Sequence, residues 1–299
     1  MKKIFRTVCL LLITISCVVY SQNITERYKD LGEILILELA SAPFPHPARM
    51  DGHKYKNETY SYVEHYNDSS VAVFIPKGFE ADTVTNIVVY FHGWNNNIDK
   101  ASSQFKLIEQ FSESKKNAIF VFPEGPKNSP DSFGGKLEEK NGINILLNDV
   151  LKILLEKGKV NSANIGNIIL TGHSGAYRVI SLCLKHGGLT PKVSDVILFD
   201  ALYANTEHYT NWIENYKGRF INIYTDNGGT KSESKNMMNS FDSKGIKYFK
   251  GEYLEINLDD LRENRLIFIH SDLGHSEVIS ERDQFLSFLK TSKIQTIEK

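Results

Sequence analysis

Residues 167–178, NIILTGHSGAYR, decide the fold. Three β-favouring apolar residues, Ile168, Ile169 and Leu170, run into Gly172-His173-Ser174-Gly175-Ala176. A helical pattern follows at once, with Tyr177, Val179, Ile180, Leu182, Cys183 and Leu184. The stretch therefore reads as a strand, an abrupt turn and a helix, with a serine at the apex. Such a turn forces the serine into a strained backbone conformation. The residues two places either side must be small, because strand and helix nearly touch. Gly172 and Ala176 meet that demand, so the pattern is G-x-S-x-G with alanine in the last place. A glycine-rich loop that only packs a helix on a sheet could show the same five residues. The flanking strand and helix carry the weight.

Outward from this point the chain alternates. Residues 86–91 (NIVVYF) are a continuous apolar run, as expected of a central parallel strand, and end in His92-Gly93-Trp94-Asn95. Phe105, Leu107, Ile108 and Phe111 then recur at helical spacing. Residues 118–122 form the next buried strand, closing on Pro123-Glu124-Gly125, and a long polar loop covers 127–141. Ile143, Leu146, Leu147, Val150 and Leu154 mark one face of a helix. Beyond the serine, residues 196–199 run into Asp200, and residues 220–224 into Thr225-Asp226-Asn227-Gly228-Gly229. A helix is expected over 233–241, an extended insertion over 247–256, and a last strand over 266–269. That strand leads to His270 and, after a Leu-Gly turn, His275; a final helix is expected to be capped by Ser280 with Asp283. Before residue 70 the reading is weaker. Residues 31–39 suit a strand or a short helix, the proline-rich 41–49 continue neither, and 60–65 and 70–76 read as two strands. This rhythm implies a mainly parallel sheet with helices on both faces, whose ligands sit beyond the carboxyl ends of the strands.

A serine hydroxyl needs a base within hydrogen-bond reach, a carboxylate to orient that base, and donors for the oxyanion formed on attack. The candidates come in the order Ser174, then Asp200 or Asp226, then His275. That order, the small-residue turn and the His92-Gly93 strand end together resemble the α/β-hydrolase superfamily, over about residues 70–290. The resemblance implies Ser174 as nucleophile, His275 as base and the N–H of Gly175 as one oxyanion donor. It implies a second donor at the strand end after His92, from Gly93-Trp94, with the N–H of Trp94 as first choice. The family's usual position for the acid points to Asp226, and a minority position, one strand earlier, to Asp200. Asp226 lies in a turn-forming Asp-Asn-Gly-Gly, whereas Asp200 follows three apolar residues, where an unpaired carboxylate would be costly. That cost favours Asp200, with Asp226 kept as its alternative and Asp272 too close in sequence to His275. His270 competes with His275 for the base and is ranked below it. His92 reads as a brace for its loop, His173 as a support beside the serine, and His46 and His53 as loop residues with no partner at metal-ligand spacing.

The chain has 299 residues and opens with Lys2, Lys3 and Arg6, an apolar run over 8–20 and Ser21. These describe a secretory leader too short to span a bilayer, cleaved after Ser21. Export in soluble form is ranked above a lipid anchor at Cys17. Loss of the leader leaves 36 acidic residues facing three fewer than the full 35 basic ones, a net charge of about −4. No basic stripe appears, so nucleic acid is not an expected partner. Cys183 is then the single cysteine, placed among helix core residues as a buried thiol. The expected organisation is a leader (1–21), an N-terminal extension packed on the core (22–69) and a hydrolase domain (70–299). The expected activity is serine ester hydrolysis of a small or acylated substrate, without metal or organic cofactor and without stable membrane insertion. A peptidase or amidase of the same fold and a non-catalytic binding protein are the alternatives. The polar loop at 127–141 is unlike an apolar lid, which ranks soluble esters above lipid.

Overall fold

A computed structural model describes residues 23–298; the leader expected at residues 1–21 lies outside them. The strands are β1 (Gly32–Glu38), β2 (His53–Tyr55), β3 (Glu58–Tyr60), β4 (Ser70–Pro76), β5 (Thr85–Phe91), β6 (Ile119–Pro123), β7 (Ile165–His173), β8 (Val193–Phe199), β9 (Arg219–Thr225), β10 (Phe249–Glu252) and β11 (Leu266–Ser271). Nine of them form one sheet in the order β1-β4-β6-β5-β7-β8-β9-β11-β10, while β2 and β3 pair as a separate hairpin. Only β4 runs against the rest: its pairings with β1 and β6 are antiparallel, and every other pairing in the main sheet is parallel.

From β5 the chain steps outward to β6 and then returns past β5 to β7, so the strand order reverses between β5 and β7. At such a reversal the connecting helices leave on opposite faces and open a crevice at the strand ends. Here helices Ile98–Gln104 and Leu107–Ser114 cover one face, and helix Gly142–Glu156 covers the other. Alternation along β7 feeds both: Ile168 and Leu170 join one core cluster, and Ile169 joins the opposite one. The serine turn ends β7, beside the ends of β5 and β8.

Several elements differ from the sequence reading for identifiable reasons. One helix was expected around Phe105, but two form, because Lys106 adopts a left-handed φ of 50° and breaks the ladder. Residues 60–65 are not a strand: β3 stops at Tyr60, and Ser61 caps a short helix, Tyr62–His65, by accepting the Glu64 N–H. The 247–256 segment supplies β10, an edge strand parallel to β11. Ser280 caps nothing with its side chain; a three-residue turn intervenes and the last helix starts at Gln284. A helix at Thr206–Asn215 went unread, although Tyr209, Trp212 and Ile213 carry its buried face.

β1 is an edge strand of the main sheet, so residues 32–38 are part of the sheet itself. β4 runs backwards, so the chain between β1 and β4 lies at the same sheet edge as the serine turn. There it interlocks with the 127–141 loop. Lys136 N–H donates to Pro43 O at 3.0 Å, Phe44, Tyr66 and Phe133 form a small separate core, and Arg49 pairs with Asp131. Gly135, at φ +57°, passes so close to Pro43 O that a Cβ there would stand 2.0 Å away. Cys183 is free and buried, and burial pushes its thiol pKa up. No helix among the described residues is long and apolar enough to cross a membrane.

Candidate active site

Ser174 sits at φ +54°, the left-handed region that a serine enters at a cost of about 1–3 kcal/mol. Tight packing around the turn holds it there. A Cβ on Gly172 would stand 2.5 Å from Ala176 Cβ and 2.7 Å from Phe91 O, which is why alanine is tolerated at the fifth position only with glycine at the first. Gly93, at the end of β5, presses on the same turn. Its Cβ would stand 2.7 Å from Ser174 Cβ and 2.8 Å from His173 O. Gly93→Ala is therefore expected to cost about 1–3 kcal/mol of stability through overpacking, and to displace the serine. Urea denaturation measures the stability effect, and wild-type stability would contradict the close approach.

His92 braces this strand end, as the sequence suggested. Its buried ring donates from Nδ1 to Gly93 O at 2.7 Å, while Nε2 lies 3.0 Å from Glu124 Oε1 and 3.1 Å from the Gly125 nitrogen. Because C=O and N–H of a trans peptide point opposite ways, holding Gly93 O on the ring turns the Trp94 N–H away from it. Glu124 Oε2 meanwhile accepts the Ile98 N–H at the start of a helix.

Of the two acid candidates, Asp200 is the one that meets His275. Nδ1 of the ring donates to Asp200 Oδ2 at 2.7 Å, with the carboxylate fully buried and the imidazole about a third exposed. Asp200 Oδ2 also accepts from Thr225 Oγ1 at 2.7 Å, and Oδ1 accepts from Thr230 Oγ1 and, at 3.3 Å, from the Thr225 N–H. Burial pushes this carboxyl up, but the hydrogen bonds from His275, Thr230 and Thr225 outweigh it and leave the pKa below the ordinary value. Gly228 packs on the same group so closely that a Cβ would fall 1.6 Å from Oδ2. The Asp-Asn-Gly-Gly turn is thus a clamp around Asp200.

Asp226 points elsewhere. It is exposed, pairs with Lys231, and lies 2.9 Å from His270 Nε2, whose Nδ1 is 2.6 Å from Glu252 Oε2. His270 is therefore the centre of a cluster joining β9, β10 and β11, apart from His275. Burial pulls the His270 pKa down, and Asp226 and Glu252 more than reverse this, leaving it raised. A raised histidine pKa gives stability that is complete below about 6.5, the unfolded value, and fades as pH climbs through the folded one. Thermal melts between about pH 6 and 9 are expected to fall more steeply for the wild type than for His270→Gln. Parallel curves would refute this.

His173 and His275 bring the serine turn and the last loop together. The buried His173 ring packs against the His275 ring with centroids 4.4 Å apart and planes tilted by 37°, and His173 Nε2 donates to His275 O at 2.8 Å. Burial, helped by the neighbouring His275, lowers the His173 pKa to about 4, so it acts as a neutral donor. Tyr203 bridges the remaining gap. Its hydroxyl donates to Gly228 O and interacts with the Ser174 side chain, and its ring lies edge-on to His275 at 6.4 Å. Burial and the Asp200 charge push the Tyr203 pKa up to about 12, so the phenol stays protonated. The sequence reading missed Tyr203, Thr225, Thr230 and Gly228, whose roles depend on the turn closing over Asp200.

Trp94, Ser132, Ser174, Gly175, Tyr177 and Tyr203 line a cavity of about 210 Å³ over the serine. A larger hollow of about 440 Å³ beside Tyr253, Leu258 and Phe288 holds none of the candidate residues. His46 and His53 lie in the N-terminal segment, His46 paired with Glu139. Among the described residues no group of three or more His, Cys, Asp or Glu side chains could hold a metal ion.

No protein-family model matches the chain, and no curated protein matches it in sequence. Solved structures do match in shape. FphF, a fluorophosphonate-binding serine hydrolase of Staphylococcus aureus, aligns with 86% of this chain and 99% of its own at a TM-score of 0.51 and 9% identity. The feruloyl esterase module of Clostridium thermocellum, solved with sinapinate, covers 85% and 92% at 0.51 and 13%. An S-formylglutathione hydrolase of S. aureus covers 86% and 98% at 0.51 and 8%. Together with the nine-stranded, almost wholly parallel sheet and the strained serine at its strand-order reversal, these likenesses establish that the chain has the α/β-hydrolase fold.

Proposed function

We propose that the protein is an exported serine hydrolase that cleaves an ester through an acyl-enzyme. The observation that carries this is the buried Asp200 carboxylate bonded to His275 Nδ1, at the same strand edge as the strained Ser174. A carboxylate accepts only, so Nδ1 bears the proton and Nε2 presents a lone pair. In the proposed reaction Ser174 Oγ attacks the acyl carbon as its proton passes to His275 Nε2. Asp200 holds the resulting imidazolium in place. The carbonyl oxygen becomes an oxyanion facing the N–H groups of Gly175 and Trp94, where a single donor is worth about 3–4 kcal/mol. His275 then protonates the leaving alcohol, and water, deprotonated by the same ring, releases the acid.

The aromatic walls of the cavity, Trp94, Tyr177 and Tyr203, favour a flat or apolar group beside the scissile bond. The fold's likeness to a feruloyl esterase module and to other named serine hydrolases supports the ester reading. Export rests on the leader at 1–21, and the division into an N-terminal extension (22–69) and a hydrolase domain (70–299) is part of the same proposal. A fluorophosphonate probe is expected to label Ser174, and p-nitrophenyl esters are expected to turn over faster than the matching anilides. No labelling of the folded protein would point to a binding role, and faster anilide cleavage to an amidase.

A further inference from the structure

The N-terminal segment reaches the serine's cavity through a short chain of contacts. Trp94 Nε1 donates to Ser132 Oγ at 2.7 Å, and both side chains press on Gly175, where a Cβ would stand 2.7 Å from each. Trp94 is 42% exposed, so packing alone does not fix its indole. Ser132 is in turn held by its neighbour. Arg49 Nε donates to the nearly buried Asp131 at 2.7 Å, and the guanidinium lies 4.5 Å from the Phe133 ring centroid. Tyr66 adds a 2.7 Å bond to Ser129 Oγ. From the other side the Tyr55 ring of β2 meets the indole edge-on at 5.2 Å.

We propose that Ser132 is a positioning residue that fixes the Trp94 indole as a wall of the substrate cavity, and that Arg49 of the N-terminal segment, through its pair with Asp131, holds Ser132 in place. The segment before β4 thereby shapes substrate binding without touching the reacting atoms. This inference rests on the hydrolase reading, so wild-type labelling by a fluorophosphonate comes first and tests that reading alone. With p-nitrophenyl butyrate as probe, Ser132→Ala is expected to raise KM about five- to tenfold, the worth of one neutral hydrogen bond, with kcat within about twofold. Iodide quenching of tryptophan emission is expected to rise in the same variant, because the other tryptophan, Trp212, is 1% exposed and out of the quencher's reach. Trp94→Phe keeps an aromatic wall and the backbone N–H but loses Nε1, and should raise KM similarly. Adding Ser132→Ala to it should do nothing more, since the shared bond is already gone. Arg49→Lys, which loses the planar stacking, should raise both KM and quenching. Ser132→Ala with unchanged KM and quenching, or KM effects that multiply in the double variant, overturns the role of Ser132. Wild-type KM in Arg49→Lys overturns that of the N-terminal segment. If Ser132→Ala does not fold, Trp94→Phe and Arg49→Lys decide by the same KM criterion.

Discussion

Ser174→Ala is expected to lower kcat for p-nitrophenyl ester hydrolysis by on the order of 10⁶-fold, while the melting temperature moves by no more than about 3 °C. The size follows from the chemistry proposed above: without Oγ there is no covalent intermediate, and His275 has no proton to accept from a nucleophile. What survives is whatever the oxyanion donors and binding contribute, about 10³–10⁴ over water in comparable sites. The small stability change follows from the packing. Alanine keeps the Cβ that Gly93 already accommodates, and the turn stays clamped by Gly172 and Ala176. Initial rates and a fluorophosphonate gel measure both expectations. A variant retaining a hundredth or more of wild-type turnover would place the hydrolysis elsewhere.

Asp200→Asn is expected to cost about 10⁴-fold in kcat, against no more than about twofold for Asp226→Asn. Asparagine is nearly isosteric but offers an NH₂ as well as a carbonyl. Four donors now converge on the Asp200 oxygens, from His275, from Thr230 and from the hydroxyl and N–H of Thr225, and an amide cannot accept from all of them. The ring would either lose its partner or settle in the tautomer that puts a proton on Nε2, where it cannot act as base. Asp226 is exposed, and its partners Lys231 and His270 do not reach His275. Both variants assayed side by side give the answer, and the reverse ranking would return the acid to position 226.

Much of this site was legible because its demands are local. A strained serine between small residues writes itself as Gly172-His173-Ser174-Gly175-Ala176, and buried parallel strands write themselves as unbroken apolar runs. The burial of Asp200 was also legible, since residues 197–199 announce a buried strand end. What could not be read depends on contacts between distant segments. Nothing near Tyr203 signals that its hydroxyl meets Gly228 O, and Asp226-Asn227-Gly228-Gly229 looks like an ordinary turn until Asp200 is seen beneath Gly228. The N-terminal segment was opaque for the same reason. Pro43, Pro45 and Pro47 interrupt its regular elements, and Arg49 gains meaning only from Asp131, 82 positions later.

The bond from His173 to the His275 carbonyl spans 102 positions. During synthesis the serine turn leaves the ribosome well before its imidazole, by about 5–20 s at ordinary elongation rates. If hydrolysis needs both, the nascent polypeptide stays inert toward esters until His275 has been added and has folded back onto the serine turn.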